Sequence, residues 1–202
     1  MKRVIIIHRW SGGPDDDWRP WLKIELEQRG YEVANPEMPD TDTPVIKKWV
    51  DKLREVVGTP DADMYFIGHS IGCQVILRYL ETIDTPVGGA VFVAGWFDLK
   101  NLEDEETAKI AKPWIETPIN AAKIRKVLPK SILIISKDDP YDAYDTNIEK
   151  FSEFMTSAVV LPHAGHITEE KEPAVLSQFL DSSAYSEDWS ERLVLPSQFL
   201  NQ

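Results

Sequence analysis

Cysteine is all but missing from this 202-residue chain, Cys73 being the only one. A single thiol excludes an intramolecular disulfide and any multi-cysteine metal site. Long apolar runs are missing too. Stretches such as Val4 to Ile7 and Ile132 to Ile135 fall far short of the ~20 residues that a membrane-spanning helix needs. Positive charge is scarce: 22 Lys and Arg stand against 34 Asp and Glu, a net charge of −12. Such a surface repels phosphate backbones and anionic membranes. The short basic clusters, Lys47-Lys48 and Lys123 to Lys126, sit in helical patterns as solvated faces. Neither nucleic acid nor a membrane is an expected partner. No basic segment leading into an apolar core opens the chain, because His8 and Arg9 follow Ile7 at once, so a cytoplasmic location is the expectation.

What is present is alternation. Short apolar runs at Val4 to Ile7, Tyr31 to Ala34, Met64 to Ile67, Gly89 to Ala94, Ile132 to Ile135 and Val159 to Leu161 read as strands. Between them Trp18 to Gln28, Val45 to Val57, Ile71 to Leu80 and Asp145 to Met155 carry helical spacing, and Ala174 to Leu180 forms a last helix. Strand alternating with helix predicts an α/β fold of three layers, with a mostly parallel central sheet of about six strands. Length fits one domain, residues 1–182. Residues 97–128 break the alternation and would hang over the strand C-termini as a lid or cap segment. Residues 183–202 include Trp189, Leu193 and Phe199. So apolar a tail is expected to pack on the domain or on a partner chain, which would make a homo-oligomer.

The sharpest chemical signal is Gly68-His69-Ser70-Ile71-Gly72, a G-x-S-x-G sequence directly after a strand and before a helix. A chance match arises in roughly one chain in twenty of this length, so the context carries the assignment. The small residues permit a sharp turn with Ser70 at its apex, exposed above the sheet, and with the Ile71 amide aimed at a developing oxyanion. A serine hydroxyl needs a base. His166, in the loop after Val159 to Leu161, is the expected one, with His163 of the same loop as the alternative. His69 would point away, into packing or a backbone hydrogen bond. Asp139, after Ile132 to Ile135, is the expected orienting acid, and Asp138 beside it would cap the turn or face solvent. The second oxyanion donor is expected from the loop after the first strand, from the Trp10 amide or, alternatively, that of Arg9. Trp96, Phe97 and Trp114 either line a small apolar substrate pocket or pack in the core.

These residues together resemble the compact serine hydrolases of the retinoblastoma-binding protein 9 family, within the α/β-hydrolase superfamily. The resemblance runs from Val4 to about Leu180. It rests on the strand ending at His8, the Trp21-Leu-Lys-x-Glu-Leu26 helix, Pro36-x-Met-Pro39, Gly68-His-Ser70, Asp138-Asp-Pro140 and Gly165-His166. It implies a hydrolase sheet reduced at its N-terminal edge and a triad of Ser70, Asp139 and His166. Two departures stand out. The superfamily usually has Gly after the first-loop histidine, where this chain has Arg9; that side chain is expected to place a cation beside the oxyanion pocket and favour carboxylate-bearing substrates. The Leu-x-Cys-x-Glu peptide of the retinoblastoma-binding member is absent, so that partner is not implied.

The combined expectation is a serine hydrolase acting on a small carboxylic ester, thioester or amide, with no cofactor and no metal. A non-catalytic interaction module on the same scaffold is the alternative.

Overall fold

A computed structural model describes residues 1–102 and 104–184. The expected tail, 183–202, therefore lies almost wholly outside the described residues. In chain order the elements are β1 (Arg3–Ile7), α1 (Arg19–Glu27), β2 (Glu32–Ala34), α2 (Ile46–Val57), β3 (Met64–His69), α3 (Ile71–Leu80) and β4 (Gly89–Val93). Then follow α4 (Glu105–Glu116), α5 (Ala121–Val127), β5 (Ser131–Ser136), α6 (Tyr144–Phe151), β6 (Ser157–Leu161) and α7 (Pro173–Ala184).

The six strands form one sheet in the order β2-β1-β3-β4-β5-β6, and every pairing is parallel. The expected mostly parallel sheet is thus wholly parallel. Its four inner strands, β1, β3, β4 and β5, are buried on both faces, which is why they read as continuous apolar runs. Alternate residues serve opposite layers. Ile5, Ile7, Phe66, Phe92 and Leu133 join one core with α2, α3, α5 and α6. Val4, Ile6, Ile67, Val91 and Ile134 join the other with α1 and α7.

The segment expected to be a lid or cap, 97–128, holds two helices. Pro113 lies inside α4 and the Asp104 side chain caps that helix by accepting from the Thr107 amide. Proline near the C-terminal end hid the helical pattern from sequence. α5 packs in the core through Ile124 and Val127, so only the earlier part of the segment is free to cover anything.

The chain runs from β1 outward to β2, then crosses back to place β3 on the other side of β1. The strand order reverses there, and the loops leaving β1 and β3 diverge to open a crevice at the strand C-termini, where α/β sheets bind ligands.

Candidate active site

Ser70 sits between β3 and α3 with φ 56° and ψ −121°, a left-handed backbone that a non-glycine residue adopts only when its surroundings enforce it. The enforcement is visible in the flanking glycines. A Cβ on Gly72 would come within 2.5 Å of the Ile7 carbonyl oxygen, and one on Gly68 within 2.7 Å of the Cys73 amide. The start of α3 is thereby pressed against the end of β1. The Ser70 amide donates to the Val93 carbonyl (2.8 Å), which fixes the turn to β4 as well. Ile71 is the first helical residue, so its amide has no acceptor inside the helix.

Ser70 is not exposed above the sheet, as expected from the motif, but only 4% exposed. Its side chain lies at the wall of a cavity of about 970 Å³ shared with His166, Trp10, Arg9, Trp96 and Tyr141. The reason is cover: Leu99, Asn101, Leu102, Thr107 and Ile110, from the segment after β4, complete the lining. Ser70 Oγ accepts a hydrogen bond from Trp96 Nε1 (3.2 Å).

His166 and Asp139 meet. His166 Nδ1 lies 2.6 Å from Asp139 Oδ2, and the other Asp139 oxygen accepts from the Tyr141 amide (3.0 Å). A carboxylate only accepts, so the His166 proton sits on Nδ1 and leaves Nε2 with its lone pair. Asp139 is 2% exposed, which strengthens that pairing. Asp138 faces solvent, one of the two things expected of it, and does more. Its Oδ1 accepts from Ser136 Oγ (2.7 Å), the Gly165 amide (2.9 Å) and the Ala164 amide (3.0 Å), tying the acid loop to the histidine loop. Those bonds, the Ser136 one foremost, hold its carboxyl down at about 2. His163 stands in solvent with its side chain 86% exposed.

His69 does make the expected backbone contact, and more. Arg19 only donates, so its bond to His69 Nδ1 (3.0 Å) makes that nitrogen the acceptor and leaves Nε2–H to donate to the His166 carbonyl (2.9 Å). Burial foremost, with the Arg19 charge beside it, pushes the His69 pKa well below its ordinary value. Arg19 is itself buried, salt-bridged to Asp17 at 2.8 Å and bonded to the Gly13 carbonyl (2.9 Å). A chain of contacts thus joins the loop after β1 to the backbone of His166. Sequence reading missed it, because a buried arginine in an amphipathic helix looks like any exposed one.

Arg9 is corrected. Its guanidinium is folded onto Asp17, with Nε 2.9 Å from Oδ2, and so is no free cation for a substrate carboxylate. The lining also carries the carboxylates of Asp42, Asp104 and Glu106, none of them in an ion pair among the described residues. The Trp10 amide makes no bond to another backbone group among the described residues. His8, at the start of the same loop, spans two backbone groups: Nδ1 is bonded to the Arg9 carbonyl (2.8 Å), and Nε2 accepts from the Met38 amide (3.0 Å). Burial, aided by the charges of Arg19 and Arg9, lowers its pKa to about 4.

The three expected pocket aromatics divide. Trp96 lines the cavity. Phe97 does not; it packs on Phe151 and Phe154, at 4.8 and 5.3 Å between ring centroids. Trp114 is a core residue, 1% exposed, whose indole donates to the Pro44 carbonyl (3.0 Å). A further pair went unforeseen. Asn147 donates to Asp142 and to the Asp98 carbonyl and accepts from the amides of Phe97 and Asp98, clasping the covering segment to the acid loop. Burial, with the charge of Asp139 adding to it, raises Asp142 to about 6. Among the described residues no three His, Cys, Asp or Glu side chains form a metal-ligating group, and no helix is long and apolar enough to cross a membrane.

Comparison with known proteins places the chain in a family. The sequence profile described as serine hydrolase matches residues 4–178. YdeN of Bacillus subtilis, whose name assigns it as a hydrolase, is 27% identical over 172 residues, 84% of this chain and 88% of that protein. The crystal structure of the ydeN gene product superposes with a TM-score of 0.83 at 25% identity, over 92% of this chain and 100% of that one. Est1E of Butyrivibrio proteoclasticus, solved with ferulic acid bound, gives a TM-score of 0.72 at 13% identity over 92% of this chain and 90% of that chain, a likeness of fold alone.

Proposed function

The chain belongs to the serine hydrolase family, and on that premise we propose that it cleaves small carboxylic esters, thioesters or amides through an acyl-enzyme on Ser70. Within the family we group it with the retinoblastoma-binding protein 9 branch, on the motifs quoted above. His166 Nε2 takes the Ser70 proton as Oγ attacks the acyl carbon, and Asp139 holds the imidazole and stabilises its protonated form. The Ile71 and Trp10 amides receive the oxyanion. His166 gives its proton to the leaving group, then repeats the cycle with water to free Ser70. Leu99, Asn101, Leu102, Thr107 and Ile110 cover the reacting atoms from solvent.

The observation that carries this reading is the 2.6 Å contact between His166 Nδ1 and Asp139, with His166 and Ser70 on one cavity. The rival interaction module drew on Trp96 and Trp114 as surface aromatics, both of which are buried, at 2% and 1% exposure, and on the tail 183–202, which lies almost wholly outside the described residues. A series of p-nitrophenyl esters from acetate to decanoate tests the proposal. Turnover by the wild type that vanishes in Ser70→Ala supports it; equal turnover by that variant contradicts it.

A further inference from the structure

The reaction just described gives Trp96 no part beyond lining, yet its indole is bonded to the nucleophile. The indoles of Trp10, Trp18, Trp49 and Trp114 all donate to backbone carbonyls. Trp96 alone among these five donates to a side-chain oxygen, and that oxygen is Ser70 Oγ. A buried indole N–H needs an acceptor, and a carbonyl would serve as well. The ring is held where it is from behind. Gln74, one turn beyond Ser70 on α3 and fully buried, donates to the Trp96 carbonyl (2.9 Å), and Arg78 donates to Gln74 Oε1 (3.0 Å). Gly95, the preceding residue, has no space for a side chain, since a Cβ there would lie 2.4 Å from the Phe151 ring. The donor is therefore set before any substrate arrives.

Resting on the reading of Ser70 as nucleophile, we propose that Trp96 is a catalytic hydrogen-bond donor to the attacking oxygen. A hydroxyl has two acceptor lone pairs and one proton, so accepting from Trp96 leaves the Ser70 proton free to go to His166. During attack the Oγ–H bond breaks, the proton moves to His166 Nε2, and an Oγ lone pair closes on the acyl carbon while the carbonyl π pair moves to the carbonyl oxygen. Oγ is most negative along that path. Hydrogen bonds to charged acceptors are stronger than neutral ones, so the indole bond favours the transition state over the resting hydroxyl. In deacylation the Oγ–carbon bond breaks, its electron pair returns to Oγ, and His166 returns the proton; the indole stabilises the departing oxygen in the same way.

The test compares the wild type with Trp96→Phe and with a chain carrying β-(3-benzothienyl)alanine at position 96, which keeps the bicyclic shape and replaces the N–H by sulfur. Two quantities are read: the second-order rate of fluorophosphonate capture at Ser70, and kcat and KM for a short p-nitrophenyl ester. Loss of the donor is expected to slow capture and kcat by about tenfold with KM unchanged, equally in both variants. Wild-type rates in the benzothienyl chain, or a rise in KM with kcat intact, overturn the donor role and leave Trp96 a lining residue. The benzothienyl chain decides the matter should Trp96→Phe fold poorly. Failure of the wild type itself to be captured at Ser70 overturns this inference and the proposed function together; brisk capture in all three chains overturns this inference alone.

Discussion

The body of the sheet and its C-terminal rim are built on opposite rules. In the body, Ile6, Phe92, Ile134 and their neighbours are fully buried and apolar, alternating between two helix layers. At the rim, many of the buried residues are polar: His8, His69, Ser70, Ser136, Asp139 and Asp142 all lie at or just past strand ends, each under 5% exposed. Burying apolar surface is favourable whichever neighbour supplies it, whereas a buried polar group is tolerated only with a partner at the right distance and angle. The body therefore specifies the fold through many replaceable contacts, and the rim specifies the site through few irreplaceable ones.

The largest effect that sharpens this contrast belongs to the rim. Ser70→Ala is expected to lower kcat/KM by about 10⁶-fold with the melting temperature nearly unchanged. Asp139→Asn follows at about 10⁴-fold, because the His166 tautomer is no longer fixed. Steady-state kinetics beside thermal unfolding check both, and a large loss of stability in Ser70→Ala would break the distinction. In the body the converse holds. Phe92→Ala is expected to cost about 3–5 kcal/mol of stability in chemical denaturation, with kcat of the remaining folded protein unchanged.

His8 belongs to the rim yet acts on stability. Its folded pKa of about 4 lies below its ordinary 6.5, so its contribution is intact above pH 6.5 and is lost as pH falls toward 4. The loss amounts to roughly 3 kcal/mol. Denaturation between pH 7 and 4 should show a slope in the wild type that is shallower in His8→Gln by about this amount, the buried His69 supplying a remainder of the same sign. The smallest effect concerns charge. Arg9 is held on Asp17, which Arg19 shares, and the lining also carries Asp42, Asp104 and Glu106; a neutral ester should therefore be preferred roughly fivefold over its carboxylate-bearing analogue, and Glu106→Gln should narrow the gap. A preference for the anionic ester would restore Arg9 to the role its sequence position suggested.

The legibility of the two regions differs for the same reason. Continuous β-branched runs and helical spacing are local, so the strands and most helices were readable from sequence; α4 was obscured by Pro113 and α5 by its brevity. The meeting of His166 with Asp139, beside the cavity that Ser70 lines, was readable because the chemistry and strand-end positions of the three coincide. The partners that hold them were not. That Arg19 is buried against His69, that Asp138 ties two loops, and that Trp96 faces Ser70 rather than a carbonyl are consequences of tertiary packing between segments far apart in sequence. Nothing in an isolated arginine or tryptophan marks its acceptor. The same limit explains why Arg9 looked like a free cation until Asp17 was placed beside it.

The central claim is a covalent intermediate on one serine. Mixing the protein with p-nitrophenyl acetate, quenching in acid within milliseconds and mapping the peptides tests it directly. An acetyl group on Ser70, absent from Ser70→Ala and formed far more slowly in His166→Ala, is the predicted result. Steady turnover with the acetyl group on another residue, or with no acylated Ser70 under any quench, would contradict it.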